Sequence, residues 1–150
     1  VPWDDGLLAI LPAEVDGRPL VPEPAAFAES ASDPDLVRDA SAGVVAFVVG
    51  EAGDDYAVPF VYALRPGVFD EGWYRSWRDS FDEGVCAQAG GVAGTAEAVI
   101  GGRPTVIGSC AGGVLTYHTH LVVDGVDHVV SVQALGPARY GELVIAGLRA

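Results

Sequence analysis

Apolar positions change period along this chain, and each change predicts a different kind of element. In the first forty residues the apolar runs are short and broken by Pro. Asp4 and Asp5 suit the start of a short helix through Leu7, Leu8 and Ile10, which Pro12 ends. Val15-Asp16-Gly17 reads as a turn. Ala25–Ser30 and Pro34–Ala40 are short helical candidates, the second with Asp33 as N-cap and Pro34 at its first position. From Gly43 the pattern becomes that of strands. Val44–Val49 is apolar on both faces, as a strand covered on both sides should be. Gly53-Asp54-Asp55 turns the chain, and Tyr56, Val58, Phe60, Tyr62 and Leu64 then alternate as the second strand of an antiparallel hairpin. Pro59 has no N–H to donate, which predicts an edge position or a bulge for that strand.

A four-residue spacing takes over at Asp70–Glu83. Trp73, Trp77, Phe81 and Val85, with Tyr74 beside them, form one helical stripe, expected to be core over a sheet. Arg75, Arg78, Asp79 and Asp82 are expected to face away from it. Asp70 and Glu71 suit the helix start and Gly84 its end. Beyond the Gly-rich stretch Gly84–Gly94, four strands follow with short connections: Ala96–Ile100, Thr105–Cys110, Val114–Val123 and Val126–Ala134. The last turn is Asp124-Gly125, a strong hairpin signal between alternating apolar runs. Gly136-Pro137 ends the series, and Tyr140, Leu143, Val144 and Leu148 mark one face of a final helix. The sum is an α+β chain. About six antiparallel strands carry N-terminal, central and C-terminal helices packed on them. Residues 1–150 read as one domain, with 1–42 a helical or irregular segment and 43–150 the sheet and its helices.

Composition narrows the partners. Asp and Glu number 21 against 8 basic residues, a net charge of −13, and all the basic residues are Arg. That balance argues against nucleic acid and anionic lipid, both of which need clustered positive charge. Half of the residues are hydrophobic, which excludes disorder as the main state. No apolar run has the length of a membrane span. With no Met in the chain, Val1 reads as a processing site or as the start of a domain cut from a longer protein. An upstream lipid anchor is compatible with either. Cys86 and Cys110 fit one disulfide, which would stabilise by roughly 3.5 kcal/mol in the loop-entropy description. Two buried thiols of a cytosolic protein are the alternative.

Three constellations invite a chemical reading. His118 and His120 sit two apart on a strand, so both rings project from one face, the way several metal enzymes place two ligands. If Asp124-Gly125 is a two-residue turn, His118 pairs with Ser131 and His120 with Val129. The histidine face is then Thr116, His118, His120, Val122, Asp127, Val129, Ser131 and Gln133. Asp127 is the nearest acid, across from Val122, and His128 lies on the opposite face. His118, His120 and Asp127 are therefore the metal candidates, against the plainer expectation of a partly polar sheet face. Gly112, five residues before His118, mimics the start of a cupin motif, but the acid and Gly that should follow are misplaced. Gly108-Ser109-Cys110-Ala111-Gly112 matches the cysteine form of a nucleophile elbow, but the elbow needs a helix after it, and here a strand follows. Gly90–Gly94 follows a helix and precedes a strand, the reverse of a phosphate loop. The paired acids Asp54-Asp55, Asp70-Glu71 and Asp82-Glu83 sit in a turn and at helix ends, where acids are expected on local grounds.

Leu64–Gly94, with its Arg-Pro-Gly-Val-Phe-Asp and Trp-Arg-Asp-Ser-Phe-Asp-Glu-Gly-Val-Cys segments, resembles soluble domains of exported actinobacterial proteins, often lipoproteins. Leu11–Gly17 is similar too. The order of helices and antiparallel strands is similar to the Mog1/PsbP-like fold. The resemblance implies an extracytoplasmic location, secreted or anchored to the outer face of the cell membrane, and a disulfide; it implies no assigned activity. The expected function is thus a non-enzymatic envelope domain without a cofactor that binds a protein partner or an envelope ligand. A metal-binding protein or hydrolase using His118 and His120 is the alternative.

Overall fold

In the computed structural model, which describes residues 1–150, Asp124 and Gly125 form a two-residue turn with both φ angles positive, 51° and 75°. That twist matches the strands it joins. It fixes an even register in which His118 pairs with Ser131, His120 with Val129 and Val122 with Asp127. The two strands are β8 (Leu115–Val123) and β9 (Val126–Leu135). They belong to a seven-stranded antiparallel sheet with β3 (Val21–Pro22), β4 (Ala40–Val49), β5 (Tyr56–Leu64), β6 (Val92–Ile100) and β7 (Arg103–Cys110). Its order is β3-β4-β5-β9-β8-β7-β6. A small hairpin, β1 (Glu14–Val15) with β2 (Arg18–Pro19), stands apart.

The sheet has one strand more than the alternation predicts. β3 is two residues long and ends in Pro22, too short to leave a periodic signal, and it is recruited by pairing with Ala46 and Phe47. Pro59 also departs from expectation. β5 is neither an edge nor bulged at that point, because it pairs with β9 from Tyr56 to Ala63 without a register shift. The ladder to β4 instead has no pair between Val45↔Phe60 and Val48↔Ala57, so the missing donor falls in a gap.

Both faces of the sheet are covered. On one side pack a 3₁₀ segment (Asp5–Ile10) and helix α4 (Tyr140–Ala146), burying Leu7, Ile10, Val144 and Ile145 against Val44, Val61, Val130 and Val132. Leu143, expected on the buried face of α4, is 42% exposed, and Ile145 takes its place in the core. On the other side pack α1 (Pro24–Ser30), α2 (Pro34–Asp39) and the long α3 (Glu71–Cys86). Asp33 caps α2 by accepting from the Asp35 and Leu36 amides, and Asp70 caps α3 by accepting from that of Trp73. Helix α3 is tied at both ends. Trp73 Nε1 donates to Asp39 Oδ2 at 3.0 Å, and Cys86 is disulfide-bonded to Cys110 at the end of β7. No helix is long and apolar enough to cross a membrane.

Candidate functional site

The part of the histidine face formed by Thr116, His118 and Ser131, expected as a partly polar sheet face, lies beneath α3. The reason is the aromatic stripe. Trp73, Trp77 and Phe81 stack along the helix and meet Phe60, Tyr62 and His118 on the sheet. A large apolar side of α3 thus has to cover β5, β9 and β8, and the polar groups on that face are buried with it.

They are buried as a closed hydrogen-bonded array. Trp77 Nε1 donates to Ser131 Oγ at 2.9 Å. Ser131 Oγ lies 2.8 Å from His118 Nδ1, and His118 Nε2 lies 2.8 Å from Asp82 Oδ1. Thr116 Oγ1 donates to the same Asp82 oxygen at 2.6 Å. The proton positions follow from the groups themselves. An indole can only donate, so Ser131 accepts from Trp77. The Ser131 proton then has one acceptor in reach, His118 Nδ1. The ring proton therefore sits on Nε2 and is given to Asp82. Both bonds to Asp82 fall on Oδ1, and no buried side-chain nitrogen or oxygen lacks a partner.

Ser131, His118 and Asp82 thus stand in the order of a catalytic triad, yet the serine and histidine are 0% exposed. Asp82 is the member nearest the surface, at 5%, and was expected to face solvent. A strict four-residue spacing explains its burial. Each step of four residues advances about 40° around a helix of 3.6 residues per turn. The buried stripe therefore drifts toward Asp82 as it approaches Cys86. Gly108 makes room for the carboxylate, since a Cβ there would overlap Asp82 Oδ2 and Thr116 Oγ1. Asp82 and Trp77 are the array members that the sequence pattern did not single out for chemistry.

His120 is placed differently. Its Nε2 lies 2.7 Å from Asp127 Oδ1, and its ring stacks on Phe69, with centroids 3.6 Å apart and planes 6° from parallel. His118 and His120 therefore share a face but turn to separate carboxylates. No group of three or more His, Cys, Asp or Glu side chains is arranged to hold a metal ion. His128 lies on the opposite face, its Nδ1 2.9 Å from the Val126 carbonyl oxygen.

Beside His120 the sheet is open. Helix α3 leaves part of β6 and β7 uncovered, forming a groove of about 590 Å³ between the helix and these outer strands. Phe69, Tyr74, Arg75 and Arg78 line the helix side; Glu97, Val106 and His120 line the sheet side. Burial pushes the Tyr74 phenol up to about 12, and the Arg78 guanidinium lies over its ring, 4.2 Å from the centroid. Neither Arg75 nor Arg78 forms an ion pair. Two guanidiniums without a salt-bridge partner, beside aromatic rings and in a groove that Glu71 and Glu97 also line, suit a ligand that offers oxygen acceptors and a flat or apolar surface. A second recess of about 550 Å³ continues along the helix past Asp79 and Asp82 to Thr95.

Cys110, read in sequence as half of a disulfide with a buried thiol as the alternative, is bonded to Cys86, and no free cysteine remains. The bridge joins the end of α3 to β7, so it holds the helix over the buried array. Comparison with protein families, curated proteins and solved structures returned no match.

Proposed function

We propose that this chain is a non-catalytic, extracytoplasmic binding domain of a bacterial envelope protein, and that its ligand or protein partner occupies the groove between α3 and β6–β7. The observation that carries the reading is the contrast in access within one face. Of the groups in catalytic order, Ser131 and His118 are sealed under α3 and held there by Asp82 of that helix, whereas Arg75, Arg78, Tyr74 and His120 are gathered at an open groove without ion-pair partners for either guanidinium. A nucleophile must reach its substrate, and Ser131 has no exposed surface with which to do so. The Cys86–Cys110 bridge agrees with an oxidising compartment.

The test is an NMR titration of the ¹⁵N-labelled chain with two probe sets, soluble saccharide fragments of the bacterial wall and short acidic peptides. Saturable shifts centred on Tyr74, Arg78, Val106 and His120 are expected with one set, weakened at least tenfold by Arg78→Ala. Shifts centred elsewhere, or equal affinity in the variant, would overturn the assignment of the groove.

A further inference from the structure

The two edges of the sheet are built in opposite ways. At one edge β3 is two residues long and ends in Pro22, with Pro19 and Pro24 on either side. Short, Pro-marked edges resist pairing with another chain. At the other edge β6 runs nine residues, Val-Ala-Gly-Thr-Ala-Glu-Ala-Val-Ile. Its inner side pairs with β7 along its length, apart from a register shift between Val92 and Gly94. Its outer side has no neighbour. It contains no Lys or Pro and one charge, Glu97. Val99 is 73% exposed. Alternate residues of such an edge present N–H and C=O groups that template another strand.

Charge says which strand. The net charge of −13 would drive two copies apart if it were spread evenly. It is not. From Gly84 to Val123 the chain has a single acid, Glu97, and a single base, Arg103, so the edge itself is free of the acidic coat. The residues flanking it are of both signs, with Arg75, Arg78, Asp79 and Asp82 on α3 and Glu97 on the strand. Arg75, Arg78 and Glu97 form no ion pair within the chain. An antiparallel pairing of β6 with β6 of a second copy has a two-fold axis perpendicular to the sheet. Centred on Ala96, it sets Glu97 of the second copy opposite Thr95, which shares a recess with Arg75 and Arg78. The recess also holds Asp79 and Asp82, so each Glu97 meets charges of both signs, and only this one carboxylate of each strand is brought to the seam, reciprocated by symmetry.

We propose that two copies of this chain pair through β6, doubling the seven-stranded sheet. Because the β3 edge is guarded, growth stops at the dimer. The pairing rests on a different feature from the groove reading, the unpaired outer side of β6, although Glu97 and Val99 of that strand also line the groove.

Sedimentation equilibrium and light scattering on the 150-residue chain, without added ligand, test the proposal. A dimer of twice the 15.4 kDa chain mass is expected, with a dissociation constant raised at least tenfold by Thr95→Lys and by Val99→Lys. Both positions are exposed, and an unchanged far-UV circular dichroism spectrum of each variant confirms its fold. Amide hydrogen exchange on the unmodified chain gives a readout free of substitutions: β6 amides should gain protection as concentration rises. A chain that stays monomeric at several hundred micromolar overturns the proposal. So does a dimer insensitive to both lysines with no change in β6 exchange, or β6 protection that appears only on adding a different protein. Groove binding in the NMR titration would survive each of these results, so the two readings fail separately.

Discussion

His118 and His120 are two residues apart on one strand and point to the same side of it, yet the fold gives them opposite tasks. His118 is fully buried and makes two hydrogen bonds inside a closed array, one to Ser131 and one to Asp82. The His120 side chain is 27% exposed, pairs with a surface carboxylate and stacks on Phe69 at the mouth of a groove. The difference comes from α3. The helix passes over Thr116 and His118 with Phe81 and Asp82, whereas Phe69, just before its start, stands beside His120. Residue type and spacing alone therefore do not define a site here. What a neighbouring element covers decides whether a histidine supports the fold or faces a ligand.

The sharpest break of this comparison is Asp82→Ala. It leaves the His118 Nε2–H and the Thr116 hydroxyl buried without an acceptor. Each buried donor left without an acceptor costs about 1–3 kcal/mol, so the two together cost about 2–6 kcal/mol. Urea denaturation should show a loss of that size, with the slope of the transition unchanged. A loss below about 1 kcal/mol would mean that water replaces the carboxylate and that the array is not closed. Ser131→Ala is the next step down. It removes the acceptor of the Trp77 indole and the donor to His118 Nδ1 at once, a cost of about 1–3 kcal/mol. The same change should move the ring proton of His118, because the proton order depends on Ser131. Side-chain ¹⁵N spectra should place an unprotonated Nδ1 in the unmodified chain and an altered pattern in the variant. An Nδ1-protonated ring in the unmodified chain would overturn the proton order of the whole array.

How far the sequence showed this depends on which physical signal each feature leaves. The strands from β4 to β9 were legible because alternation and Gly-containing turns mark them directly. The pairing of His118 with Ser131 was legible because a two-residue turn fixes every pair in the hairpin. The disulfide was readable as the better of two alternatives. Asp82 was not, because a carboxylate at a helix end has an adequate local explanation in capping and solvation. Only the drift of the stripe, from Trp73 to Phe81 and on to Cys86, hints that the buried side has rotated to include it. The seventh strand left no signal, since two residues cannot show a period. The groove left none either. It exists because α3 does not reach the outer part of the sheet, and how far a helix reaches across a sheet is a tertiary property.

His120→Ala tests the other half of the comparison and should have the smallest effect on the fold. The His120–Asp127 contact is partly exposed, so screening by water limits it to the range of surface pairs. The stack on Phe69 adds about 0.5–1.5 kcal/mol of the kind measured for aromatic pairs. A total loss near 1 kcal/mol is therefore expected in urea denaturation, well below that of Asp82→Ala. Asp127→Asn separates the two contributions. It weakens the pair and keeps the stack, and should cost no more than a few tenths of a kcal/mol if stacking dominates. If Asp127→Asn instead matches His120→Ala, the carboxylate holds the ring and Phe69 only follows. If His120→Ala costs as much as Asp82→Ala, the division between a buried support and a groove-side ring is wrong, because both histidines would then be part of one cooperative core.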